Sequence, residues 1–361
     1  MQEQIRWQQE NGSHTAALES IDKALQLLRI DGGPENQAQL PLLEKRLDSL
    51  QALGRLADID KQYQAILHLY RRWFGAEDVR TATLLGRMAE WQMEVFYQEL
   101  LTPFEEASGV ANSDQQRQLA FDMLKQSQVN LIDAIKTHLT AGNWPSPELQ
   151  QLEEHLLESY YLFAWRQVLE TDPDPSLSNR TPRRGSVYKR VNMDSNEFIQ
   201  AFNQGLLVLE RLLTYQQQTP DRNPADEAKV LVALADWHLL FGHNKEAMSI
   251  YREASKSMTT EPGEKAWELD PVQPVVIPTF THYVEQPFST DFEEGSDYID
   301  VSFSVTRYGR ARNIEISRFS DQLDDEVPKR LLSWLKRSQF RPRFVGNEID
   351  ESEMRLRYYC Q

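Results

Sequence analysis

Apolar residues recur at helical spacing through the first 258 positions and switch to strand spacing only near the end. Leu18, Ile21, Leu25 and Leu28 lie three to four residues apart, which is one face of a helix. Leu43, Leu47, Leu50 and Leu53 repeat the stripe, and Ile59, Tyr63, Ile66, Leu67 and Tyr70 form the next. The same spacing predicts helices over 77–101, 114–140, 148–170, 194–216, 224–241 and 244–258. Their joints are short and marked by Gly or Pro: Gly32-Gly33-Pro34, Gly75, residues 142–147 and Gly242. Short joints make successive helices antiparallel neighbours.

From Tyr298 the period is two. Ile299, Val301, Phe303 and Val305 alternate with Asp300, Ser302, Ser304 and Thr306, which predicts a strand with one buried face. Tyr308-Gly309 supplies a tight turn, and residues 310–317 return with Ile314 and Ile316 inward. Leu323, Val327, Leu331, Trp334 and Leu335 then form a single helical stripe. Residues 340–345 are expected as a third strand. Met354, Leu356 and Tyr358, alternating with Arg355, Arg357 and Tyr359, are expected as a fourth. A helix over one face of an antiparallel sheet buries this pattern. The fold class is therefore multidomain: an all-α repeat array, then a small α+β domain in the order strand-strand-helix-strand-strand.

Two stretches interrupt the pattern. Residues 171–193 hold Pro173, Pro175 and Pro182 beside Arg180, Arg183, Arg184, Lys189 and Arg190, and are expected as a basic surface loop. Residues 259–297 hold Pro262, Pro271, Pro274, Pro278 and Pro287, too many for a continuous helix. They are expected as an extended linker, with an isolated strand over 275–280. The domain division follows: a helical block over 1–170, the loop, a second helical block over 194–258, the linker, and the small domain over 298–361.

Composition sharpens the division. The 361 residues carry a net charge of -16. Residues 298–361 hold 12 basic and 10 acidic groups, whereas residues 1–297 hold 27 and 45. The helical part is strongly acidic and the small domain nearly neutral, as expected of separate folding units. An acidic chain is a poor dedicated nucleic-acid binder. One cysteine, Cys360, excludes an internal disulfide or a multi-cysteine metal site. No run of eighteen apolar residues is present. Residues 1–11 are polar and lack the apolar core of a signal peptide, which fits a cytoplasmic protein or one trimmed of its export signal.

The helical pairs resemble tetratricopeptide (TPR) repeats. In the clearest copy, Leu231, Leu234 and Ala235 fit the first helix, Gly242 the turn, and Ala247, Tyr251 and Ala254 the second helix. Gly12, Ala17, Ile21 and Ala24 hold the same offsets near the start. The resemblance implies a solenoid that binds peptides or proteins in a groove. It makes Lys229, Val232, Asp236, Leu239 and Leu240 the groove-facing candidates.

The small domain resembles the C-terminal domain of the TonB family. Residues 298–310 carry the Val305-Thr306-x-x-Gly309-Arg310 turn, and the helix with Val327, Leu331 and Trp334 precedes Phe340-Arg341-Pro342-Arg343-Phe344. That family implies a periplasmic setting and pairing of a partner segment at a sheet edge. Arg341, Arg343, Arg355, Arg357, Tyr358 and Tyr359 become the edge candidates. A transducer's membrane helix and long Pro-rich spacer are missing from this sequence.

Sequences that carry common chemistry are absent. There is no G-x-G-x-x-G, P-loop, H-E-x-x-H or G-x-S-x-G pattern. His14, His68, His138, His155, His238, His243 and His282 are dispersed, and Glu153-Glu154 reads as helix surface. No cofactor or metal is expected. The expected function is a non-enzymatic periplasmic adaptor with protein or peptide partners. The alternatives are an accessory of TonB-type outer-membrane transport, and an enzyme or carbohydrate-binding protein with a groove between repeats and linker.

Overall fold

The computed structural model describes residues 2–101, 113–144, 146–171, 195–219, 223–258, 274–279, 288–290, 296–320, 322–324, 326–345, 348–351 and 353–360. The expected basic loop at 171–193 lies outside them, Thr171 apart, as does most of 259–297. An N-terminal all-α repeat region is followed by a small C-terminal segment of strands and one helix. The chain divides into two compact units, residues 1–99 with 110–152, and residues 100–109 with 153–361.

The first unit contains α1 (Gln2–Glu10), α2 (His14–Gly32), α3 (Leu40–Ala52), α4 (Leu56–Trp73), α5 (Val79–Leu101), α6 (Ser113–Thr140) and the start of α7 (Pro147–Thr171). The predicted stripes are its core: Leu18, Ile21 and Leu25 on α2, Leu43, Leu47 and Leu50 on α3, Ile59, Tyr63 and Ile66 on α4. Polar side chains tie the pairs together. Buried Gln62 donates to the Leu43 carbonyl and accepts from Arg46. Tyr70 donates to Glu44, and its hydroxyl pKa rises to about 12 through burial and that carboxylate.

In the second unit, α7 is followed by α8 (Asn196–Gln218), α9 (Pro224–Leu240) and α10 (Asn244–Met258). The start of α9 is set by Asn223, whose side chain accepts from the Ala225 amide, and by Pro224 in the first turn. It ends at Gly242, where φ is +82°. Unlike an amphipathic surface helix, α9 is buried nearly all round, including Leu231, Val232, Leu234, Ala235, Trp237, Leu239 and Leu240. Trp237 lies against α8, where Gly205 leaves room for its ring and the Phe202 carbonyl accepts its indole N–H.

The C-terminal strands are β1 (Val276–Ile277), β2 (Phe288–Ser289), β3 (Tyr298–Val305), β4 (Ala311–Phe319), β5 (Gln339–Phe340), β6 (Phe344–Val345), β7 (Glu348–Ile349) and β8 (Met354–Cys360), with α11 (Glu326–Arg337) after β4. One antiparallel sheet has the order β2-β8-β3-β4. The predicted alternation holds: Ile299, Val301, Phe303 and Val305 are buried and meet Val327, Leu331, Trp334 and Leu335 of α11. Two expectations are corrected. Residues 340–345 do not form a third sheet strand. They split into β5, which pairs with β1, and β6, which pairs with β7. Pro342 has no N–H to offer a ladder, and the Arg341 amide donates to the Val275 carbonyl. The linker strand is not isolated either, because β1 has β5 as its partner and β2 extends the sheet beside β8.

Two measurements follow. A methyl group at Gly205 would overlap the Trp237 ring, which its own hydrogen bond holds in place. Gly205→Ala should therefore cost about 1–2 kcal/mol in urea denaturation, overpacking outweighing a helix-propensity gain of up to about 1 kcal/mol. His138, 2% exposed near the end of α6, has no hydrogen-bond partner at either ring nitrogen among the described residues. Burial holds it below its ordinary value of 6.5, against a weaker opposing effect from Glu148. The unfolded chain then takes up the proton first, so stability falls as pH drops through about 6.5. His138→Leu should flatten that fall in melts recorded across the pH range.

Candidate interaction surfaces

Helical spacing puts Val232, Asp236 and Leu239 on one face of α9, where the C-terminal segment reaches Asp236 through Arg341 and Leu239 through the turn at Gly309. Asp236 is 2% exposed and Arg341 is 6% exposed. The guanidinium Nε lies 3.1 Å from Oδ1 and 3.2 Å from Oδ2, and Nη2 lies 2.6 Å from Oδ2. The Tyr251 hydroxyl of α10 donates to Oδ1. Burial, then the adjacent Asp236 charge, pushes the Tyr251 pKa well up, so the hydroxyl keeps its proton and remains a donor. The Phe344 ring sits 5.7 Å from the Tyr251 ring.

The β3–β4 turn completes this contact. Gly309 has φ of +68°, and a side chain there would overlap the Phe340 carbonyl and come within 3.2 Å of Leu239 Cδ2. The glycine thus serves both the tight turn and the close approach to α9. The groove-facing candidates sort accordingly. Val232, Asp236, Leu239 and Leu240 are buried inside the unit. Lys229 is on the surface, 2.9 Å from Asp226.

The sheet has two sides to consider. The outer strand β4 slips register twice against β3, and Asn313, at the second slip, has φ of +53°. Such bulges, with Arg312, Glu315 and Arg318 exposed, blunt an edge against pairing. In contrast, β8 pairs with β3 over six residues with no slip, from Met354 to Tyr359. On its other side β2 pairs only with Tyr359 and Cys360, so among the described residues 354–358 are paired on one side alone.

The edge candidates lie as follows. Arg341 is buried on Asp236, and Arg343 contacts Asp350 at 3.2 Å. Arg357 grips Asp300, its cross-strand partner, at 2.7 and 2.9 Å and lies over the Tyr298 ring at 3.9 Å. That grip holds the Asp300 carboxyl below its usual range. Tyr358 is buried, 5.7 Å from Trp334. Tyr359 is half-buried. Arg355 is exposed, its side chain at 88%, with Glu353 at 3.6 Å.

Sequence reasoning missed two buried partners. Tyr251 was legible only as a repeat-position aromatic. Glu153, expected at the surface, is 0% exposed. It accepts from Arg211 at 2.8 and 2.6 Å and from the Tyr215 hydroxyl at 3.1 Å. The available signal was Arg211 and Tyr215 four residues apart on the predicted α8 face. Among the described residues, no group of three or more His, Cys, Asp or Glu side chains could hold a metal ion. No helix described is long and apolar enough to cross a membrane.

No protein-family model and no curated protein matches this chain. Solved structures resemble this chain at low identity. The nearly identical TPR-like repeats named as a kinesin light chain of Podosopora anserina align at 13% identity, covering 71% of this chain and 92% of that one, with a TM-score of 0.40. BtubC (BKLC) from P. vanneervenii aligns at 12% identity, covering 73% and 82%, also at 0.40.

The buried pair makes a prediction of its own. Arg341→Ala strands a buried carboxylate and should cost about 3–5 kcal/mol. Asp236→Leu combined with Arg341→Met removes both charges and should recover most of that loss. Denaturation of the single and double variants in a double-mutant cycle checks it.

Proposed function

We propose that this chain is a non-enzymatic protein–protein interaction adaptor that works in the periplasm, with the C-terminal sheet as one docking element and the helical array as another. The supporting observation is that, among the described residues, β8 is paired on one side alone over 354–358. Residues 354–358 present a regular backbone edge next to the exposed Arg355, whereas the opposite edge at β4 is interrupted by bulges. A partner segment that adds as a strand gains main-chain hydrogen bonds there, and the arginine selects for acidic side chains in it. The TonB-like sequence of this module supports the periplasmic setting.

The test uses the full chain as bait in envelope extracts. Wild-type bait should capture a defined polypeptide, and Arg355→Glu should weaken that capture by about tenfold, because like charges then oppose across the edge. Unchanged capture by the variant refutes the edge, and fractionation of the native gene product with cytoplasmic markers refutes the periplasmic setting.

A further inference from the structure

The α9 face assigned to a partner groove is covered in this structure by the chain itself. The covering segment is residues 341–344. Phe344 is buried with its ring 5.7 Å from that of Tyr251, Arg341 reaches the Asp236 carboxylate of α9, and Phe340 packs instead beside Phe303 and Trp334 in the core of the C-terminal strands and α11. The amides of Phe340 and Arg341 donate to Gly309 and Val275, both within the C-terminal strands and their turns. Arg341 meets Asp236, and Phe344 meets Tyr251, through their side chains. A second peptide with the same side chains could take its place without disturbing the helices.

The chemistry of the pocket selects its occupant. Asp236 offers two oxygens, and Tyr251 occupies one direction on Oδ1. A guanidinium fork spans both oxygens, whereas an ammonium is a single point and a neutral side chain leaves the carboxylate unpaired. Burying an ion pair adds little net stability over a well-packed apolar pair, so its effect here is to discriminate among occupants.

We propose that α9 and α10 form a binding site for an extended peptide bearing an arginine followed three residues later by a bulky apolar residue. Residues 341–344 fill the site in cis, and a partner protein of that chemistry displaces them. This rests on the reading of the chain as a protein-binding adaptor. The tethered segment lowers the apparent affinity for any competitor by the fraction of open molecules.

The probe is a fluorescent peptide with the sequence of residues 338–345, compared with a counterpart bearing alanine in place of the arginine at 341. A full-length chain with Arg341→Lys keeps the charge but loses the fork. It should bind the probe about tenfold tighter than the wild-type chain does, since its site is open more often. The alanine counterpart should bind that variant about tenfold more weakly than the probe. Adding Asp236→Asn to the variant should remove the difference between the two peptides. The wild-type chain supplies an arm that depends on no variant folding. At millimolar concentration, a probe with benzophenone in place of Phe344 should cross-link to α9 or α10. Equal binding of the two peptides to the Arg341→Lys chain overturns the proposal. So does an absence of cross-links to these helices, which decides alone if the variant does not fold. Either failure leaves the β8 edge, and the adaptor reading built on it, to its own test.

Discussion

A carboxylate on the buried face of a helix has to be met by a cation, and at Asp236 that requirement organises the C-terminal half of the chain. Leaving the charge unpaired would cost several kcal/mol. The cation comes from Arg341, more than a hundred positions away in sequence. To deliver it, residues 339–345 must run extended past α9, so they cannot continue as a strand of the main sheet. Pro342 sits where the strand breaks, and β5 and β6 pair elsewhere. The β3–β4 turn closes against Leu239 because Gly309 carries no side chain. One polar contact therefore sets the register between a helix pair and a β-module.

The same combination recurs once more in this unit with a different source for the arginine. Glu153 on α7 is held by Arg211 and Tyr215, both from α8. Asp236 on α9 is held by Tyr251 from the next helix, but by an arginine from beyond the array. The β-module thus supplies to α9 what a neighbouring helix supplies to α7. A repeat array needs its terminal pair covered, since an exposed stacking face is an apolar liability. Here the cover is a different fold, and the buried charge fixes which way it sits.

Much of this architecture was legible in the primary structure. Helix stripes such as Leu43, Leu47 and Leu50 bury as their spacing requires, and the alternation from Ile299 to Val305 places a sheet face beneath α11. Both readings rest on local periodicity, which one stretch of chain carries by itself. What periodicity cannot carry is pairing between distant residues. Asp236 and Arg341 each read as exposed candidates because charge is usually solvated, and nothing local to either announces the other. Glu153 misled for the same reason. β1 and β2 are two residues each, too short for any period, and their partners lie 64 and 72 positions downstream in the register pairs Val276↔Phe340 and Phe288↔Cys360.

Charge acts at two ranges in this molecule. The helical part and linker carry 45 acidic groups against 27 basic ones, so their far field attracts cationic chains and repels acidic ones. That field fades over about 8 Å at physiological salt, and it governs how fast a partner arrives rather than which partner stays. Selection happens at contact, where Asp236 asks for a planar fork and Tyr251 for an aromatic neighbour. The C-terminal module meets both demands: it is close to neutral overall, so the array does not repel it, and it carries Arg341 between two buried phenyl rings. An incoming chain must satisfy the same two conditions. The acidic excess favours basic segments in general, and the buried carboxylate then narrows the choice among them to arginine.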